Sequence, residues 1–199
     1  MAVTPNYSWP VPVNTDYVKD GAEAIKDLGD AIDSTVFGLP SGALTLISAT
    51  TIGTAVASVT VSSAFSATYD NYRIVMGGMT ASQIGTDLAL TFNNSAGSFY
   101  YFAGYFQQFS GGQTIRSGNG VSSIEFALTG DLSSMAMTGD VLSPFLATRT
   151  ALISHYANNT YTGEIKGYNI TASSQTGFTL APGTGTLTGG TIRVYGYQN

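Results

Sequence analysis

The chain has 199 residues, a formal net charge of −5, twelve Tyr and ten Phe. That is material for one packed β domain plus a short appendage. Only 10% of residues are charged, against about 25% in an ordinary soluble domain. The five basic residues beyond the N-terminal region (Arg73, Arg116, Arg149, Lys166, Arg193) are dispersed in sequence, so no basic stripe for nucleic acid is expected. There is no cysteine, which excludes disulfides and thiolate metal sites within the chain.

Residues 1–14 place Pro5, Pro10 and Pro12 around Tyr7 and the single Trp9. Proline fixes φ and removes a donor, so the piece reads as extended and non-helical. It lacks a basic region followed by an apolar one, so no secretory signal is expected. The piece is either a disordered tail or an anchor peptide, with Tyr7, Trp9, Pro10 and Pro12, that orders when its aromatics enter a partner's grooves.

A helix is expected next, over residues 15–37, capped by Asn14 or Thr15 with Asp16 near its positive end. Val18, Ile25, Ile32 and Leu39 recur every seven residues, Leu28 adds the second heptad position, and Ala22, Gly29 and Val36 flank the seam. The stripe either packs on the chain's own sheet or joins copies; the expected self-association residues are Val18, Ile25, Leu28, Ile32 and Val36. Gly21 and Gly29 weaken the helix by about 1 kcal/mol each relative to Ala. Gly38-Leu39-Pro40-Ser41-Gly42 ends it. Residues 1–39 hold six acids against two lysines, a formal −4. This composition shift divides an anchor-plus-neck segment, 1–39, from a β domain, 40–199.

From residue 43 the pattern is of strands. Candidates are 43–49, 55–61, 72–76, 87–92, 99–106, 123–128, 148–155, 161–168, 177–180 and 191–197. Turns are expected at Gly77-Gly78, at 93–97, at Gly111-Gly112, at Gly118-Asn119-Gly120, at Asn158-Asn159 and at 183–185. Short strands without intervening helices predict an all-β fold, an antiparallel β-sandwich of jelly-roll type. The uncharged stretch 34–69 is broken by Gly, Pro, Ser and Thr and cannot span a bilayer as a helix, so no membrane insertion is expected.

Chemistry is sparse. The one histidine, His155, has Ser154 beside it, but strand neighbours point to opposite faces, and no G-x-S-x-G elbow occurs. Glu125 and Glu164 are the two mid-strand acids that could serve a glycoside hydrolase. No metal, cofactor or catalytic residue is assigned. The segment 99–109, FYYFAGYFQQF, carries aromatics on both faces. Such a strand is covered on both sides or presents one face for binding. Tyr101, Tyr105, Gln107 and Gln108 are the residues expected to meet a saccharide or protein.

The N-terminal segment, Trp9-Pro10-Val11-Pro12 followed by Thr15-Asp16-Tyr17-Val18-Lys19-Asp20-Gly21-Ala22-Glu23-Ala24-Ile25-Lys26-Asp27-Leu28-Gly29-Asp30-Ala31-Ile32-Asp33, resembles the opening of bacteriophage minor tail and short fibre proteins. Tyr69-Asp70-Asn71-Tyr72-Arg73-Ile74-Val75 and the closing Gly189–Tyr197 run look more loosely like β domains at the ends of phage fibres. The resemblance implies a virion protein, made in the host cytoplasm, trimeric, bound to another tail or capsid protein, and without catalytic residues. A short tail fibre that contacts host-surface glycan or protein is the leading expectation. A capsid decoration protein is the second, and a surface-polysaccharide depolymerase the third.

Overall fold

The computed structural model of the chain describes residues 2–13, 15, 17–38, 43–95, 97–130 and 135–198. It contains two compact units, Met1–Gly42 and Ala43–Asn199.

In the first unit, residues 1–14 do not run as a single extended peptide. β1 (Ala2–Val3) pairs antiparallel with β2 (Pro10–Val11). The intervening turn is closed by Thr4 N–H on Trp9 O and Ser8 N–H on Thr4 O, with Ser8 at φ +55°. Tyr7 stacks on Trp9 at 5.1 Å. A 3₁₀ turn, Val18–Asp20, then leads into α1 (Gly21–Gly38). The regular helix thus starts later than the sequence pattern suggests. Tyr17 precedes the 3₁₀ turn without a side-chain cap, and Thr15 lies exposed in a turn. Glycine at position 21 disfavours α propagation, and a tighter turn gives the first orphan N–H groups partners. Asn14, Asp16, Leu39 and Pro40-Ser41-Gly42, expected to cap and stop the helix, lie outside the described residues.

The second unit is an antiparallel β-sandwich. Its strands are β3 (Leu44–Thr51), β4 (Val59–Val61), β5 (Asn71–Ala81), β6 (Asp87–Phe92), β7 (Tyr100–Gln108), β8 (Gln113–Val121), β9 (Ile124–Leu128), β10 (Met135–Leu142), β11 (Thr150–Ala157), β12 (Tyr161–Asn169), β13 (Phe178–Pro182), β14 (Leu187–Thr188) and β15 (Thr191–Tyr197). The large sheet runs β3-β15-β5-β10-β11-β12-β7-β8, with β14 paired to β5, and the small sheet runs β4-β13-β6-β9. Without the hairpins β7–β8 and β11–β12 and the short β14, eight strands remain, four per sheet. Numbered along the chain, their orders are 1-8-3-6 and 2-7-4-5. This is the double Greek key of a jelly roll. The two hairpins extend one sheet beyond that frame.

The core follows from alternation. Tyr72, Ile74 and Met76 on β5, Leu88, Leu90 and Phe92 on β6, and Ile192 and Val194 on β15 all point inward. Phe65 packs edge-on against Tyr72 at 4.9 Å and lies over Phe178 at 5.9 Å. Two buried tyrosines also clip loops. The Tyr72 hydroxyl donates to Ser66 O and accepts from Ser66 N–H (2.7 and 2.8 Å), and the Tyr100 hydroxyl accepts from Phe92 N–H at 2.7 Å.

Within the second unit three strands were not anticipated: β8, β10 and β14. In β8, Gly118-Asn119-Gly120 is not a turn. A Cβ at Gly118 would lie 2.4 Å from the Phe102 ring, so this glycine permits strand packing, and Gly120 (φ +65°) is the extra residue of a bulge opposite Tyr100 and Tyr101. Gly77-Gly78 likewise lies inside β5, where Gly78 (φ +77°) bulges opposite Met135 and Ala136. The second expected strand shortens to Val59–Val61, with an isolated bridge from Val56 to Leu187.

Candidate functional site

Three surfaces bear on function. The first is the helix of the N-terminal unit. Ala24, Leu28, Ala31, Ile32 and Thr35 lie half-buried along one side, spaced four, three, one and three residues apart. Trp9 Nε1 donates to Thr35 Oγ1 at 2.9 Å, so the hairpin sits on this side. Leu28, expected on the self-association seam, therefore faces the chain's own hairpin, and Ile32 is half-covered. Trp9, expected to meet a partner, spends its indole N–H within the unit, with Tyr7 stacked on it. Pro10 belongs to β2, and Pro12 lines a groove of about 550 Å³ with Tyr17, Val18, Gly21 and Ala24. Val18 is 98% exposed, Ile25 69% and Phe37 92%, and Val36 is exposed beside them. With Ala22 and Gly29, also exposed, Val18, Ile25 and Val36 form a stripe spaced four, three, four and seven residues apart.

The second surface is the outer face of the large sheet. On β7, Tyr100, Phe102 and Phe106 turn to the core, while Tyr101, Tyr105 and Gln107 turn away; Gln108 shares the parity of Phe106. The aromatic strand is thus two-sided, and within the chain a neighbouring strand covers its outer side in part. Tyr101 stacks on Tyr168 of β12 at 5.4 Å, and the Arg149 guanidinium lies 5.6 Å from the Tyr168 ring centre. Gln107 Nε2 donates to the backbone oxygens of Gln108 and Gly112, at 3.0 and 2.9 Å, which fastens the β7–β8 turn. Tyr105 stands opposite Glu164 in register, and Glu164 stands opposite His155. Lys166 Nζ is 2.8 Å from Glu164 and holds its carboxyl below the usual range; His155 Nε2 is 3.5 Å away. Ser154 is buried on the opposite face and donates to Ile165 O, so His155 and Ser154 are not a catalytic pair.

The third surface is a hollow of about 410 Å³ between β8 and the β6–β9 edge of the small sheet, lined in part by Asp87, Ala89, Phe102, Arg116, Ser123 and Glu125. The inserted β7–β8 hairpin creates it. Every residue of β9 is buried, because the large sheet covers one face and Arg116 of β8 reaches to the other. Arg116 Nε donates to Glu125 Oε2 at 2.9 Å, and its Nη2 donates to Asp87 Oδ1. Glu125 is 2% exposed, and its second oxygen, Oε1, has no hydrogen-bond partner among the described residues. Burial raises the Glu125 pKa despite the guanidinium, and Asp87 pushes it the same way. The Tyr156 hydroxyl, also buried without a hydrogen-bond partner among the described residues, has its pKa raised by burial and then by Glu125.

Glu125 was visible from sequence as a mid-strand acid, but its partners Arg116 and Asp87 were not. The signal that could have found them is scarcity: in so uncharged a chain, a lone arginine inside a β segment needs an acid. Glu164 does not line this hollow, so the structure does not gather Glu125 and Glu164 into one cleft. Among the described residues no three of His, Asp and Glu are placed to hold a metal ion, and no helix is long and apolar enough to cross a membrane. No protein-family model matches the chain, and no curated protein matches it.

Proposed function

We propose that the protein is a structural subunit of a bacteriophage particle, a homotrimeric short fibre or minor tail protein. Its N-terminal unit joins copies and docks on another virion protein, and its jelly roll meets the host surface. The observation that carries this reading is the helix. It has no fully buried residue, while Ile25, Val36 and Phe37 stand open along it and Val18 stands open on the 3₁₀ turn before it. Covering such side chains is worth roughly 1.5–3 kcal/mol each, and a second copy offers the same stripe with Ala22 and Gly29 admitting close backbone approach. The virion location and the number three rest on the resemblance of residues 9–33 to phage fibre proteins. The jelly roll is compatible, since capsid and lectin domains use it, but a fold by itself assigns no function. No catalysis belongs to this reading.

Light scattering of the purified full chain tests the assembly: the expected mass is three times the 20.7 kDa of one chain. A folded monomer at micromolar concentration overturns it. Mass spectrometry of purified particles from a phage that encodes the chain tests the location, and its absence from those particles overturns that half.

A further inference from the structure

On the outer face of the large sheet, two neighbouring register rows differ in side-chain length. One row crosses β5, β10, β11, β12 and β7 as Val75, Thr138, His155, Glu164 and Tyr105. The next crosses the same strands as Gly77, Ala136, Ala157, Thr162 and Gln107. From β5 to β12 nothing longer than threonine stands in the second row. The taller first row therefore overlooks a trough of about 380 Å³, lined in part by Tyr105, Ala136, Thr138, His155, Ala157 and Glu164. A solvated sheet face ordinarily carries polar side chains at such positions, yet Ala136 and Ala157 stand exposed there.

The polar groups of the trough are within reach of a ligand. The His155 side chain is 59% exposed and that of Glu164 29%. Each Glu164 oxygen has one neighbour: Lys166 Nζ lies 2.8 Å from Oε1, and His155 Nε2 lies 3.5 Å from Oε2. A carboxylate oxygen accepts about two hydrogen bonds, so each keeps a free lone pair. Among the described residues the Tyr105 hydroxyl, the Thr138 hydroxyl and His155 Nδ1 enter no hydrogen bond.

This set narrows the ligand class. The Lys166 ammonium balances the Glu164 carboxylate, so the trough has no excess charge to draw in an anion or a cation. Glu164 only accepts, while the two hydroxyls both donate and accept. A matching ligand must offer several adjacent groups that themselves donate and accept, which is the pattern of neighbouring hydroxyls. The Ala136 and Ala157 methyl groups and the Tyr105 ring leave apolar surface for its carbon frame. The volume lies in the range of small-ligand sites.

We propose that this trough binds one ring of a neutral saccharide, with Glu164 accepting from its hydroxyls, His155 and Thr138 completing the polar contacts, and Tyr105 as the aromatic wall. The proposal rests on the host-contact part of the reading above and names its ligand class. Tyr105 comes from the β7–β8 hairpin and Glu164 and His155 from the β11–β12 hairpin, while Thr138 belongs to the jelly-roll frame. The two insertions that widen the large sheet thus build the site.

Saturation-transfer NMR on the purified full chain is the test. The probes are the methyl glycosides of galactose, glucose, mannose and N-acetylglucosamine, with glucuronate as the anionic contrast. At least one neutral glycoside is expected to bind with a dissociation constant on the order of 1 mM. Glu164→Gln keeps the shape, removes one accepting oxygen and should weaken that binding about tenfold. Ala157→Trp, at an exposed position, occupies the trough, leaves the polar row in place and should abolish binding. Leu46→Ala, on β3 at the far edge of the same face, should leave it unchanged. No signal from any neutral glycoside overturns the proposal, whether or not glucuronate binds. So does binding that survives both Glu164→Gln and Ala157→Trp, or binding lost with Leu46→Ala. Particles and oligomeric mass play no part in the measurement, so its failure is distinct from failure of the virion reading.

Discussion

Gly139 of β10 lies beneath the ring of Phe126 of β9: a Cβ at residue 139 would fall 2.4 Å from Phe126 Cε2. The glycine sets how closely the small sheet's edge settles on the large one. Gly139→Ala should destabilise the β domain by about 1–3 kcal/mol, the usual penalty of overpacking. Urea denaturation followed by tryptophan-independent far-UV circular dichroism measures it, and an unchanged midpoint would show that the ring moves freely.

The two clipping tyrosines should differ in cost. Tyr100→Phe leaves the buried Phe92 N–H without an acceptor and should cost about 1–3 kcal/mol. Tyr72→Phe strands groups of Ser66, which is exposed and reaches water, so about 1 kcal/mol is expected. Equal losses would contradict the burial argument.

Ile25→Asp should reduce the full chain to a monomer in light scattering, with the β domain's melting temperature unchanged. Residues 1–39 hold six acids and two lysines, so added salt should tighten self-association by screening like charges. Dissociation by salt would instead point to ion pairs between copies.

Acid and neutral pH should load different groups. Arg73 pairs with Asp140 (2.8 Å), Tyr197 donates to Asp140 at 2.5 Å, and the Asp140 pKa is lowered, first by Arg73. The contribution of this carboxylate is complete above its ordinary value, about 3.9, and is lost as pH falls through the lower native value. Asp140→Asn should flatten the acid limb of the stability curve. The same contact, with burial ahead of it, raises the Tyr197 pKa to about 12.

Glu125 has the opposite sign. Its raised native pKa means that its contribution is largest below its ordinary value, about 4.3, and is lost as pH rises through the native value. Glu125→Gln should remove that decline, as read by thermal melts across the acid-to-neutral range. A decline that persists in the variant would place its cause elsewhere.

The fold class was legible because the strands that define the frame alternate cleanly. Asp87–Phe92 and Thr191–Tyr197 begin and end where the sequence puts them. What was hidden was hidden by glycine. Gly78, Gly118 and Gly120 read as turn formers, yet they sit in strands because a ring or a bulge takes the place of a side chain. The charged hollow was hidden for another reason: Asp87 and Glu125 approach only through the β6–β9 pairing, and Arg116 reaches both from the inserted hairpin. On the helix, heptad spacing located the apolar stripe, but spacing cannot say which half the chain's own hairpin claims, and Leu28 went to that half.

β15 lies between β3 and β5, and about 110 residues separate the end of β5 from its start. At roughly 5–20 residues per second of synthesis, β3 emerges from the ribosome many seconds before the one strand it will bond to. Until then Leu44–Thr51 is an unzipped ribbon whose backbone any neighbouring nascent chain could capture. Four of its eight residues are Thr or Ser, which lowers its appetite for such pairing, so the modest stickiness of this segment is a safeguard during birth as much as a property of the finished molecule.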